Sequence, residues 1–127
     1  MKVREAALRL KRFEAEEKSR RVKDIEFMIR EFSSMAGDLD RQIRAEEERT
    51  GIMDPSHFSY STFAKALGAR RDNLRISVEE LHKKHEAAIK DRDEAMDQLS
   101  RAEANLSRDL VKPASREKEP MENAVLR

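Results

Sequence analysis

Residues 79–85 hold the side chains whose types and spacing come closest to a metal-binding pattern. Glu79 and His82 are three residues apart, as are His82 and His85, and on a helix this spacing puts two side chains on one face. Metal sites in helical bundles use such a Glu-x-x-His pair together with a second pair and further inward-pointing glutamates. Because His85 falls on a predicted apolar seam and His82 turns away from it, we expect no metal site here.

Other chemical motifs are missing from the sequence. It has no Gly-rich phosphate loop and no Ser/His/Asp nucleophile arrangement, and His57 stands alone in a predicted turn. The chain has no cysteine, which excludes disulfides and thiolate metal ligands. We therefore expect a protein that binds other proteins, with no enzymatic activity, no cofactor and no metal.

The composition favours long helices over a thick globular core. Of the 127 residues, 42% are charged and 38% hydrophobic, against roughly 25% and 45–50% in ordinary domains. With only three glycines and three prolines, turns must be few. The 27 basic and 26 acidic residues are interspersed and give a net charge of +1, which argues against a nucleic-acid binder. No apolar run could span a membrane and the first 13 residues are too charged for a signal peptide, so we expect a cytosolic protein.

Two apolar stripes predict the helices. The first alternates steps of three and four, which is the spacing of a coiled-coil seam. Towards the N-terminus the same frame includes Ala15 and Leu8, but it also includes Lys18 and Lys11. A different phase is followed by Val3, Ala6, Leu10 and Phe13. We therefore expect the register to break between residues 13 and 22, with looser packing there or a surface for a partner. The first stripe comprises Val22, Ile25, Ile29, Phe32, Ala36, Leu39 and Ile43.

The second stripe has the same spacing. It comprises Tyr60, Ala64, Leu67, Arg71, Leu74, Val78, Leu81, His85, Ala88, Arg92, Ala95, Leu99, Ala102 and Leu106. Between the stripes, Gly51 can close a helix in the left-handed conformation, and Asp54-Pro55 cannot continue one. The predicted fold is an all-α, antiparallel coiled-coil hairpin over residues 1–111. Its helices cover about 2–49 and 58–110, its turn covers about 50–57, and 112–127 form a flexible tail.

The register of this hairpin follows from folding one stripe onto the other. Residues whose numbers add up to about 110 then face each other, so that Ile43 meets Leu67 and Ile25 meets His85. Large side chains are opposite smaller ones in most layers. The same register sets Lys18 against Arg92, a layer of like charge.

Several apolar residues are not used by the seam. Phe27 and Ile76 point outward, and Phe63 flanks the seam near the turn. Tyr60, Phe63 and Leu67 are spaced i, i+3 and i+7 and therefore line one side of the second helix. We expect these residues to form a docking face, with the alternative that the aromatic side chains close the end of the hairpin.

The segment that begins at Gly51 and ends at Leu67, GIMDPSHFSYSTFAKAL, resembles the FliJ family of flagellar type III export proteins in its alphaproteobacterial form. The resemblance extends over roughly residues 1–110. It implies a small cytosolic helical hairpin, shaped like the rotor stalk of the rotary ATP synthase. Such a protein enters the hexameric ring of the flagellar export ATPase, promotes ring assembly and ATPase activity, contacts the linker of the large membrane export-gate subunit, and escorts export chaperones.

One departure from the family concerns the surface that binds the export gate. Relatives carry a small residue and then a histidine where this chain has Arg70 and Leu74, so only Tyr60, Phe63 and Leu67 match. The candidate partner-binding residues are Tyr60, Phe63, Leu67, Arg70, Phe27 and Ile76.

Two other interpretations stay open. A homodimeric coiled-coil scaffold or adaptor would pair the two stripes between chains, whereas we expect a monomer. A hairpin arm of a chaperone or of a nucleic-acid-handling enzyme would belong to a larger protein. RNA binding at physiological salt tests this last interpretation, and the balanced charge predicts that it is negligible.

Overall fold

The computed structural model describes the backbone of residues 2–126 and the side chains of residues 2–109. It contains two helices, α1 (Lys2–Thr50) and α2 (Thr62–Leu126), and no strand within these residues. The two helices pack against each other, which confirms the predicted all-α helical hairpin. Residues Arg21–Ala88 form one compact unit that contains the turn, and the segments on either side of it form a second unit.

The helix bounds differ from the prediction mainly at the start of α2. This helix begins at Thr62 and not near 58, because residues 51–61 form the turn. It continues without interruption through Gly68 and Ser77. Its assigned end, Leu126, lies beyond the predicted end near 110. Since the side chains from 110 onward are outside the described residues, the predicted flexible tail over 112–127 stays a prediction.

The α1 seam lies where the apolar spacing placed it. Its most deeply buried residues are Val22, Ile25, Ala36, Leu39 and Ile43, and Ile29 and Phe32 are half-buried. Burying a large aliphatic side chain is worth about 1.5–3 kcal/mol, so these layers supply much of the stability of the hairpin.

The register break was predicted between residues 13 and 22, and the boundary between the two compact units, between Arg20 and Arg21, falls within this range. Leu8 and Ala15 are buried and keep the same frame. The lysines of that frame are accommodated because their ammonium groups reach out of the seam: Lys18 is exposed, and Lys11 donates a hydrogen bond to Gln98 at 3.1 Å.

The α2 seam also matches its predicted stripe, and every residue of that stripe is buried or half-buried. A layer of like charge was predicted between Lys18 and Arg92. Within α2, the charge of Arg92 is neutralised by the neighbouring carboxylate of Asp93, which it binds at 3.0 Å. Near the turn, Leu39, Ile43, Ala64 and Leu67 form a buried cluster. This cluster fixes the two helices beside the segment that connects them.

Polar contacts between the helices confirm the register. Asp40 binds Arg71 at 3.0 Å, and His85 contacts Glu26 at 3.1 Å. Within the unit formed by the outer segments, Lys11 bonds to Gln98. The numbers in each of these pairs add up to within one of the predicted 110.

Candidate partner-binding site

Hydrogen bonds join the end of α1, the turn and the start of α2. Gly51 has a φ of 75°, the left-handed conformation expected after a helix, and its N–H donates to the carbonyl oxygen of Glu47 at 2.8 Å. Further along, the backbone turns at Asp54, whose carbonyl oxygen accepts from the N–H of His57 at 3.0 Å. Both the N–H and the hydroxyl of Ser56 donate to the Asp54 carboxylate, which lowers the pKa of that carboxyl. The two predicted turn signals are therefore confirmed.

Ser61 determines where α2 begins. Its hydroxyl oxygen accepts a hydrogen bond from the N–H of Ala64 at 3.1 Å, the arrangement of a helix N-cap. The same hydroxyl donates to the carboxylate of Glu46 on α1 at 3.1 Å. Arg49, and to a lesser degree Ser61, lower the pKa of this carboxyl. The first turn of α2 is thus tied to the last turn of α1.

Tyr60 belongs mainly to the fold. Its ring is half-buried and packs against the cluster of Leu39, Ile43, Ala64 and Leu67. Its hydroxyl donates to the Glu47 carboxylate at 2.8 Å, and this hydrogen bond raises the pKa of Tyr60. For this residue, the structure supports the role of closing the end of the hairpin.

Phe63 has a different environment, although it lies one turn from Tyr60. It is 57% exposed, whereas Leu67 on the same row is 5% exposed and fully committed to the seam. Arg70, one turn further along that row, is exposed. The row therefore presents one accessible aromatic ring and one accessible guanidinium beside a rigid buried layer.

Phe27 and Ile76 are exposed as predicted, but they do not lie on the same face as Phe63. Both occupy outward positions of their seam frames, Phe27 on α1 and Ile76 on α2. Thirteen residues separate Phe63 from Ile76, which places them about 140° apart around the helix axis. The prediction that Tyr60 lies on the second helix is wrong, because α2 begins at Thr62 and Tyr60 belongs to the turn before it. The other candidate residues divide into a row of Phe63, Leu67 and Arg70 on α2 and the two exposed positions Phe27 and Ile76.

The sequence reasoning missed four exposed apolar residues in the same unit, Met28, Met35, Met53 and Phe58. Met28 and Met35 are seven residues apart on α1, and this spacing could have identified them as one face. Phe58 is 95% exposed in the turn and stacks on the ring of His57, with 4.7 Å between ring centroids. No periodic signal marks a residue in a turn.

A shallow groove of about 640 Å³ runs beside the turn between the two helices. Asp40 lies on its wall and binds Arg71 at 3.0 Å and Arg75 at 2.7 Å. Arg71 occupies a seam position, and the hydrogen bond that it donates to Asp40 raises the pKa of Arg71. These ion pairs stabilise the charges of Asp40 and Arg71, which lie half-buried beside apolar residues of the seam.

The histidine segment adopts the predicted arrangement. Glu79 and His82 are exposed, while His85 is half-buried in the seam, with its Nε2 atom 3.1 Å from Oε2 of Glu26. Within the described residues, no group of three or more histidine, aspartate or glutamate side chains is placed to hold a metal ion. His85 thus contributes to the packing of the two helices.

Over the part of the chain that the structure describes, neither helix contains a stretch that is apolar and long enough to cross a membrane. The fold and these surfaces define an all-α helical hairpin with a rigid turn and exposed apolar residues. No protein-family model, curated protein or solved structure matches the chain.

Proposed function

We propose that this chain is a cytoplasmic component of the flagellar type III protein export apparatus and acts as a stalk-like coiled coil without catalytic activity of its own. Its partners are the export ATPase hexamer, the linker of the export-gate membrane subunit, and export chaperones. The basis for this proposal is the resemblance of residues 51–67 to the FliJ family. The observation that supports it best is the exposed ring of Phe63, which lies within that segment beside the buried Leu67.

The geometry of this row suits a binding anchor. Aromatic and arginine side chains dominate the energetics of interfaces, and a rigid support lowers the entropy lost on binding. Phe63 is supported by the cap at Ser61 and by the buried layer at Leu67. Arg70 supplies a charge on the same row, and Tyr60 is held by Glu47. We therefore assign direct contact with the export-gate linker to Phe63 and Arg70, and support of the site to Tyr60 and Leu67.

The gate contact is tested by titrating folded Phe63→Ala against the export-gate linker. A hot-spot aromatic residue costs at least about 2 kcal/mol when truncated, equivalent to roughly thirtyfold in affinity. Met96→Ala is the matched control, because Met96 is a half-exposed apolar residue on the same helix outside the candidate row. Equal affinity of Phe63→Ala and the unmodified chain would exclude this contact.

The ATPase contact is tested by measuring ATP turnover of the cognate export ATPase with and without this chain. We propose that the end of the hairpin opposite the turn enters the ring. Removing residues 1–14 should then abolish stimulation while residues 21–88 stay helical. Unchanged stimulation by the truncated chain would contradict insertion at this end.

Mass in solution distinguishes the proposal from a homodimeric scaffold. Sedimentation should give a monomer near 14.8 kDa with a large frictional ratio. A stable dimer would favour the scaffold or adaptor interpretation.

A further inference from the structure

The N-terminal three turns of α1 carry an apolar stripe on the side that faces away from the seam. Val3, Leu10 and Phe13 are 82%, 55% and 58% exposed, and Ala6 is exposed as well. Their spacing of i, i+3, i+7 and i+10 places them in one row along the helix. This set of four residues is called the N-terminal stripe below. It is about 16 Å long at 1.5 Å per residue, which matches a partner segment of three helical turns.

Basic residues lie near the N-terminal stripe, and only some of them form ion pairs with α2. Arg4 pairs with Asp109, and Arg12 lies 4.0 Å from Glu103, so these two guanidiniums bind carboxylates of α2. Lys2 and Arg9 lie in the row next to Ala6 and Phe13, at spacings of three and four residues. Neither makes an ion pair with any described residue.

Acidic residues mark the other end of the stripe. Glu14 follows directly after Phe13 and pairs with Lys11, and Glu17 pairs with Arg20. A partner surface must therefore offer negative charge opposite Lys2 and Arg9, whereas Glu14 and Glu17 already have basic partners. Glu5 is exposed three residues from Lys2 and four from Arg9, so a uniformly anionic lipid surface would meet this carboxylate as well, whereas a peptide can place its carboxylates opposite the two basic residues alone.

We propose that the N-terminal stripe binds an amphipathic helical segment of another protein, with apolar side chains against Val3, Leu10 and Phe13 and carboxylates against Lys2 and Arg9. Helix-in-groove recognition of this kind combines a few apolar anchors with flanking charges. The surface is separate from the row at Phe63. The stripe overlaps the end that we propose enters the ATPase ring, but the inference is argued only from residues 2–17 and their contacts, and the peptide titrations test it without the ATPase.

The test uses the full chain and two synthetic helical peptides labelled with a fluorophore. Both have the same leucine stripe; one carries glutamates beside its N-terminal half and the other carries lysines at those positions. Fluorescence anisotropy should show that the chain binds the acidic peptide at least about tenfold more tightly than the basic peptide, and that the difference shrinks as salt screens the charges. Equal affinity for both peptides, or no binding to either, would overturn the proposal.

Variants identify the surface. Phe13→Ser should weaken binding of the acidic peptide by about tenfold, as expected for loss of a central anchor, and Arg9→Glu should reverse the preference between the two peptides. Met53→Ser is the matched control, because Met53 is exposed to a similar degree in the other unit. An equal loss in this control would show that the peptide does not bind at the stripe.

Two further measurements test whether a lipid surface or a second copy of the chain binds at the N-terminal stripe instead. Vesicles containing phosphatidylglycerol should not bind the chain; binding that Phe13→Ser removes would show that the stripe contacts lipid and would overturn the proposal. Sedimentation should show no self-association that depends on Phe13, because association removed by Phe13→Ser would identify the occupant as a second copy of the chain.

Discussion

Replacement of Phe63 by alanine tests whether its ring supports the fold or is available to a partner. More than half of the residue is exposed, and complete burial of a large apolar side chain is worth about 1.5–3 kcal/mol. The substitution should therefore lower the free energy of unfolding by about 1 kcal/mol. Leu67→Ala removes a buried residue on the same row and should lower the free energy of unfolding by about 3 kcal/mol, within the 2–5 kcal/mol range for such truncations.

The measurement is urea unfolding followed by far-ultraviolet circular dichroism, with midpoints compared at constant m value. Met96→Ala serves as the surface control and should change the free energy of unfolding by less than about 0.5 kcal/mol. If Phe63→Ala loses as much stability as Leu67→Ala, the ring closes the end of the hairpin. The assignment of Phe63 as a binding anchor would then be refuted.

Three further predictions concern the packing of the hairpin. Tyr60 is the only tyrosine, so its titration can be followed by ultraviolet absorbance. Its pKa should lie above the ordinary tyrosine value of about 10. Glu47→Ala should lower the pKa of Tyr60, because it removes the acceptor of the tyrosine hydrogen bond. Because folding raises the pKa of Tyr60, the stability contributed by its hydrogen bond to Glu47 is complete below the pKa of the unfolded chain. This contribution should be lost as the pH rises through the pKa of Tyr60 in the folded chain. Phe32→Ala should cost about 3 kcal/mol, the lower end for phenylalanine, since Phe32 is half-buried; an unchanged melting temperature would contradict its place in the seam. Asp40→Asn should cost up to about 1 kcal/mol by weakening the pair with Arg71, and the cost should decrease when the melts are repeated in high salt.

The seam was predictable from the sequence because it depends on periodicity alone. A side chain that recurs every three and four residues must return to the same face of a helix, whatever its neighbours are. This holds even for Arg71, His85 and Arg92, which the stripe placed in the seam and which the structure finds half-buried. The turn at Gly51 was predictable for a similar reason, since its left-handed conformation favours glycine.

Side-chain contacts across the turn were not predictable in the same way. The start of α2 depends on the hydroxyl of Ser61, and several hydroxyl residues between 56 and 62 could have capped the helix. The role of Tyr60 depends on the reach of its hydroxyl to Glu47, thirteen residues away in sequence. The exposure of Phe63 beside the buried Leu67 likewise depends on how α2 is rotated about its own axis.

The polar pairs explain why the hairpin has one register. Apolar seams repeat every seven residues, so a slip of seven would still bring apolar residues into contact, and polar residues at seam positions are known to exclude such slips. Asp40 binds Arg71 and Arg75 in the observed register. A slip of seven residues in one direction would set Asp40 against Ala64 and Gly68. A slip of seven in the other direction would set Asp40 against Val78 and His82. The carboxylate would then be half-buried beside apolar groups and would lose at least one arginine partner. The register that keeps both ion pairs is also the one in which Leu67 is buried and the ring of Phe63, one turn earlier, is exposed.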